Sequence, residues 1–413
     1  MHIDKKFELL EKIEVFVGID IAKNTHYASF LTKTGKILKT GLAVKNSREG
    51  FTILLNELEK HDQNVLIIGL EPTGHYWIAL YEYFINLGYT IMLVNPYHTK
   101  LCKEQYDNHQ SKNDPKDSVL IARMIREGKF TPHLGVDGPY ANLRVLTIAR
   151  EDVALDLKRA TIKLKTLLDQ YLPEYEKLFP TVSIKSSLAF LRTFGISGIQ
   201  SSLCAEEKIT LLRTKSHSAI NHERATKIVQ SLAQTVGSRK AIDAVECRLK
   251  SLLDRIALFE RNIAELEQQI ELQLERTNEY RYLKSIKGIA VVTAGTFLGQ
   301  IGSLSNYRHP RQIEKASGLM LAAQSSGTHD GKPSISKRGR SLLRYILHRI
   351  AVLLVAHDKG FKKFYEHKTK VLKKEPLVAL VAISIKFINV IFGMVKNKIE
   401  YDGSLLFKGL SDA

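Results

Sequence analysis

The sequence predicts three parts: an α/β domain over residues 1–140, a long coiled-coil arm over 141–280, and a mainly α-helical C-terminal domain over 281–413. Three observations carry this. Short apolar, β-rich runs alternate with helical periodicity in the first third, a heptad seam runs through 242–270, and glycine-punctuated helical stretches fill the last third.

The composition narrows the function first. A chain of 413 residues suggests roughly two to three domains, each with its own core. Lys and Arg number 61 against 43 Asp and Glu, a net charge of +18, which points to a polyanionic partner, nucleic acid first. The N-terminus mixes both charge signs and lacks the uninterrupted apolar stretch of a signal peptide. The most apolar run, 376–395, carries Lys386 and Asn389 and is expected to be a buried helix, with no membrane partner. Cys102, Cys204 and Cys247 form no C-x-x-C pair, which argues against a disulfide framework or zinc site and fits a reducing, cytoplasmic setting.

Each N-terminal element has its own signal. "VFVGIDIAK", "THYASFLTKTGK" and "ILKTGLAV" read as an antiparallel meander turning at "TKTGK". "NSREGFTILLNELEKHD" reads as a helix capped by Asn46 or Ser47, and "NVLIIGLE" as a nearly all-apolar strand. Helix "HYWIALYEYFINLG", strand "YTIMLVNP" and a helix opening at "NDPKDSVLIARMIREG" complete a βββαβαβα order. A strand apolar on both faces needs helices on both sides, and residues just past its carboxyl end line a functional crevice.

That places Asp20 at the end of the first strand and Glu71 at the end of the fourth, so their carboxylates meet if the two strands are parallel neighbours. Asp114 and Asp117, three apart on the last helix, share one face. Taken singly, these acids are also a strand tip and an ordinary helix start. Together they form a repulsive cluster that a divalent cation neutralises, and Mg²⁺, which takes oxygen ligands and admits phosphate oxygens, suits it.

"VGIDIAK", "LEPTG", "LVNP" and "NDPKDS" together resemble the RuvC-like (RNase H fold) DEDD domain of the bridge-RNA-guided transposases and recombinases of bacterial insertion sequences, a group that includes the Piv-type DNA invertases. The resemblance implies that Asp20, Glu71, Asp114 and Asp117 are catalytic Mg²⁺ ligands. Ser118 stands where that family commonly has alanine. "VGIDIAK" also begins like the phosphate loop of actin-like and sugar kinases. That loop needs small or hydroxyl residues after the Asp, where this chain has Ala22, Lys23 and Asn24.

In the middle, Ile242, Val245, Leu249, Leu252, Ile256, Phe259, Ile263, Leu266 and Ile270 alternate by three and four, a coiled-coil seam. Its partner is either the helical stretch 147–178 or a second copy of the chain, a homo-oligomer being the default expectation. Residues of about 181–240 read as a small helical insertion.

In the last third, "YLKSIKGIAVVTAGTFLGQIG" reads as two helices around a Lys287-Gly288-Ile289 turn whose amides can hold a phosphate. Lys332, Lys337, Arg338, Arg340, Arg344 and Arg349 fall within 331–350 without one acid, a phosphate-contacting surface or a solvated face. "AAQSSGTHDG" reads as a loop. The stretch from "SGL" through "SSG" to "SKRGRSLLR" is similar to that family's C-terminal transposase domain, which implies a nucleophile at Ser326, with Ser325 as competitor.

The resemblance further implies a Mg²⁺-dependent recombinase acting on DNA in the bacterial cytoplasm at the nucleoid. A bridge RNA would choose its targets, and the acidic and serine sites would come together from different protomers. The alternative is a resolvase-type endonuclease with no serine–DNA intermediate.

Overall fold

The computed structural model describes residues 3–106, 114–132, 136–197, 205–215, 221–326 and 329–403. The chain divides into two compact units, 1–135 and 136–413.

The first unit is a six-stranded sheet in the order β3-β2-β1-β4-β5-β6. Strands β1 (Val15–Asp20), β2 (Thr25–Thr32) and β3 (Ile37–Lys45) form the expected antiparallel meander. β4 (Leu66–Leu70) lies parallel to β1, and β5 (Ile91–Leu93) parallel to β4. The short β6 (Thr131–Pro132) closes the edge antiparallel to β5. Ahead of β1 runs a helix, α1 (Ile3–Lys12).

Alternation along the strands splits the core into two layers. Val15, Val17, Ile19, Leu66, Ile68 and Leu70 face α2 (Arg48–Leu58) and α3 (Ile78–Asn86). Phe16, Ile67 and Met92 face α5 (Asp114–Arg126) with its Ile121, Ala122 and Ile125. Ser47 caps α2, accepting from the Gly50 amide. The sequence pattern misses α1 and β6 and also α4 (Pro96–Tyr106), which stands between β5 and α5, where "PYHTKLCKEQY" has too few apolar residues to show a helical stripe.

The second unit is built on two long helices, α6 (Pro139–Tyr171) and α11 (Ile242–Glu275), each about 50 Å long. They run antiparallel, with Asn142 donating to Gln273 at 3.0 Å and Arg150 paired with Glu267 at 2.8 Å. The heptad seam of α11 therefore meets α6 of the same chain. Val245, Leu249, Leu252 and Ile256 are buried there. At that end the pair is wrapped by α7 (Tyr175–Leu178), α8 (Lys185–Phe194), α9 (Ala205–Lys215) and α10 (His222–Ala233), which constitute the helical insertion. At the other end Leu143, Ile270 and Leu274 join the core of the C-terminal helices. Between the two cores Val153, Ala154, Ile263 and Leu266 are only half-buried, because two helices alone cannot enclose a side chain.

The C-terminal helices are α12 (Tyr280–Ser285), α13 (Val291–Ile301), α14 (Arg311–Ser317), α15 (Ser341–His357), α16 (Lys359–Glu366) and α17 (Pro376–Asn397). Gly295 and Gly299 let α13 lie against α6 and α11, since a methyl at Gly299 would meet the backbone of Leu143 and Arg144. Buried Glu279 locks the base of the arm, accepting from Tyr140, from Ser303 Oγ at 2.8 Å and from the Leu304 amide at 2.9 Å. α17 is long and apolar enough to cross a membrane by length and composition, with 39% of its most apolar window buried in the protein. The buried helix expected here is buried along one face only, through Ile383, Phe387, Ile388 and Ile391, while Leu377 and Val378 are exposed.

Candidate active site

The geometry that gathers acids begins with two glycines. Gly18 and Gly69 are register partners on the parallel strands β1 and β4. A methyl at Gly18 would run into the Ser118 carbonyl and the Ala122 amide, and one at Gly69 into the Ile125 side chain. The missing side chains open a trough in which α5 lies directly on the strands. Asp20 and Glu71 each follow their glycine by two residues, so both belong to the face that carries α5. The strand register runs through Ile19↔Leu70, and one further step brings Asp20 level with Glu71. Both are half-buried at the carboxyl edge of the sheet.

Asp117 precedes the residue whose carbonyl covers Gly18, and α5 is helical from Asp114 onward. The Asp114 side chain lies outside the described residues. Among the described residues no group of three or more His, Cys, Asp or Glu side chains is gathered closely enough to hold a metal. Asp117 instead receives Lys103 of α4 at 2.6 Å, and Glu71 accepts from Thr73 Oγ1 at 2.8 Å. Hard carboxylate oxygens at the end of a sheet remain the donor type that Mg²⁺ takes.

The serine stretch is a ribbon where the sequence suggested a loop. β7 (Leu321–Ser326) pairs antiparallel with β8 (His329–Ile335), Ser326↔His329 being the pair at their far end. Alanine, serine and glycine carry too little β propensity for the pattern to announce a strand. At its root the ribbon is clasped by backbone bonds. Ser336 N donates to Met320 O at 2.8 Å, Lys337 N to Gly318 O at 3.1 Å and Arg340 N to Ala316 O at 2.8 Å. Gly318, at φ 70°, and Gly339 permit this approach, because a methyl on either would strike the opposite backbone. Six residues of strand put the serines on the order of 20 Å beyond the clasp. The side chains of Ser325, Ser326 and Lys332 lie outside the described residues.

The basic residues divide by role. Arg340 donates to the Gln300 carbonyl at the end of α13, and Arg344 to Ser317 O at 3.0 Å and Lys337 O at 3.3 Å. These guanidinium groups cap helix ends and tie down the clasp. Lys287, Lys337 and Arg338 are exposed. Burial, and then the charge of Arg340, push the Arg144 guanidinium below its ordinary pKa. The Lys287-Gly288-Ile289 turn forms as expected, with Gly288 at φ 93° resting on His357 of α15.

Comparison with known proteins decides the family. Residues 17–173 match the DEDD transposase profile of IS110, described as "Transposase", and residues 280–366 match the profile described as "Transposase IS116/IS110/IS902 family". The chain belongs to this transposase family. It is 23% identical to an insertion element IS116 protein of Streptomyces clavuligerus over 93% of this chain and 95% of that one. The transposase for insertion sequence element IS1111A of Coxiella burnetii is 21% identical, covering 93% of this chain and 90% of its own. A pilin gene-inverting protein of Moraxella lacunata is 23% identical over 94% and 98%.

In this transposase Ser118 is accommodated by a partner. It is fully buried, and its Oγ lies 2.7 Å from Ser29 Oγ on β2, which also accepts from the Gly41 amide at 3.1 Å. That bond fastens the acid-bearing end of α5 to the meander. Three features of the transposase site escape sequence reasoning: the Gly18–Gly69 trough, the Lys103–Asp117 pair, and His26, whose Nδ1 accepts the Ala22 amide at 3.3 Å just past Asp20. The spacing "G-x-D" and "G-x-E" was a usable signal for the trough. Nothing in the sequence marks Lys103.

Proposed function

We propose that the transposase cuts and rejoins DNA strands with an acidic Mg²⁺ site built on Asp20, Glu71, Asp114 and Asp117 and a nucleophile at Ser326. The observation that carries this reading is the shared register of Gly18–Asp20 and Gly69–Glu71 beneath α5. Both β1 and β4 deliver an acid to the edge reached by the start of the helix that bears the other two. The strand order 3-2-1-4-5, antiparallel then parallel, supports a RuvC-like assignment for the sheet.

Mg²⁺ held by these carboxylates supplies charge stabilisation at the scissile phosphate and the leaving oxygen. The chain's own residues do the rest. Thr73, bonded to Glu71, restricts that carboxylate, Ser29 and Ser118 fix the start of α5, and Lys103 neutralises Asp117. Ser326 Oγ bonds to phosphorus and its proton goes to the sugar oxygen of the broken strand, which leaves as a hydroxyl. A second strand's hydroxyl reverses the step, expels the serine and seals the new joint. Ser326 sits at the end of the ribbon farthest from the clasp. A net charge of +18 suits DNA together with a guide RNA.

The seam of α11 is used inside the chain, so a homo-oligomer needs another surface. α6 exposes Val145, Ile148, Leu155 and Ile162, spaced as a heptad stripe, and this face is the proposed contact between copies.

Cleavage and trapping assays test the reading. Asp20→Asn or Glu71→Gln should lower strand cleavage by roughly three orders of magnitude, the scale of several kcal/mol of lost charge stabilisation, and leave DNA binding intact. Wild-type cleavage by either variant in Mg²⁺ ends the acidic-site reading. Cleavage without a covalent protein–DNA species favours the resolvase-type alternative.

A further inference from the structure

Seven lysines fall between 359 and 374, against Glu366 as the lone acid in that interval. The family match ends at 366, so much of this charge is carried beyond it. On α16 the chain buries Phe361 and exposes Lys359, Lys362 and Lys363. The helix then opens into a π-turn at His367–Val371, and Lys373 takes a left-handed conformation at φ 51°. That reversal gathers Lys370, Lys373 and Lys374 on a tight exposed bend, with Lys368 lying over the Phe364 ring at 5.2 Å. Glu366 is spent on Lys370 at 3.4 Å.

Two contacts join the start of α16, at the other end of that helix from the bend, to the hairpin turn after α12. Gly288 rests on His357, two residues before Lys359. Tyr401 bridges the same corner, its amide donating to Ser285 Oγ at 3.1 Å and its hydroxyl to Asp358 Oδ2 at 2.9 Å. Asp358 is buried and caps α16 through the Phe361 amide at 2.9 Å, so its charge is turned inward. Exposed Lys284 and Lys287 on one side of the corner and Lys359, Lys362 and Lys363 on the other outnumber the exposed Glu400 and Asp402 that flank Tyr401, so the corner is net positive, and α16 carries that charge on to the bend. It differs from the 332–344 strip, where Arg340 and Arg344 are engaged with backbone carbonyls.

We propose that this surface, Lys284 and Lys287 with Lys359, Lys362, Lys363, Lys370, Lys373 and Lys374, is a second nucleic-acid contact that grips the phosphate backbone of duplex DNA irrespective of sequence. Base edges are read by planar or forked donors such as Arg, Asn and Gln, and the interval 359–374 contains none of them. Lysine on a flexible stem is a point charge that suits phosphates. The assignment rests on DNA being the substrate, and its test is kept apart from cleavage.

The test is equilibrium binding of the full chain to a duplex of unrelated sequence, in chelator, across a salt series. Lys359→Gln, Lys362→Gln, Lys363→Gln and Lys374→Gln together should make the slope of log Kobs against log salt shallower by about 3 to 4, near 0.9 per lost phosphate contact. Arginine at the same four positions should keep the slope, which separates lost charge from lost folding. Glutamine at Lys158, Lys163 and Lys250 on the arm should change it little. Unchanged affinity in the α16 variant overturns the proposal. So does an equal loss in the arm variant, or a loss seen for structured RNA with duplex DNA unaffected.

Discussion

His26 carries a ring Nε2 that finds no hydrogen-bond partner, although the residue is fully buried beside Phe51. Burial holds its pKa below the ordinary histidine value. Because the folded pKa is depressed, the unfolded chain takes up the proton first. The stability of the sheet unit should be complete above about pH 6.5 and fall as the pH drops below it. His26→Asn keeps an acceptor near the Nδ1 position for the Ala22 amide and removes the titration, so its melting temperature should vary less between pH 5 and 7 than that of the wild type. An equally steep acid limb in the variant would assign the loss to other groups. The ribbon sets a second test at this scale. Ser325 and Ser326 are successive strand positions, paired with Asp330 and His329. Ser326→Ala should abolish the covalent DNA adduct and strand exchange, while Ser325→Ala keeps both; the reverse result moves the nucleophile by one residue.

The elements most legible in the sequence are those whose packing is periodic. β1 and β4 announced their acids because alternation fixes both the buried faces and where the strand stops. α11 announced its seam because a heptad is unambiguous, but a periodicity names no partner, and only the structure shows that α6 of the same chain fills it. Much of what stayed unreadable inside the chain has no period. α4 lacks an apolar stripe, the serine ribbon is made of residues with weak β preference, and the Lys103–Asp117 pair joins helices that no local pattern relates. The trough under α5 gives the clearest element-scale expectation. Gly18→Ala places a methyl against backbone atoms that cannot turn aside, and should cost about 1–3 kcal/mol or more, read as a lowered denaturation midpoint together with lost cleavage. Ile256→Asp puts a carboxylate into the fully buried seam and should melt the arm tip.

At the scale of the whole molecule the two units each own their hydrophobic cores, so calorimetry should resolve two transitions. Gly18→Ala should lower one and leave the other in place. Association belongs to this scale as well. Leu155→Asp with Ile162→Asp, on the exposed stripe of α6, should reduce the mass measured by light scattering without altering either transition. An unchanged mass would send the contact between copies elsewhere.

The half-buried stretch of the arm has a mechanical meaning. A beam bends where its cross-section is smallest, and here two well-packed ends are joined by a two-helix waist near Val153 and Ile263. A load on the insertion therefore turns into rotation about that waist, with both ends moving as stiff bodies. The insertion becomes a handle and the C-terminal helices the part it steers. A small angular change at the waist, multiplied by the tens of ångströms between waist and tip, becomes a large displacement of the insertion relative to the C-terminal helices.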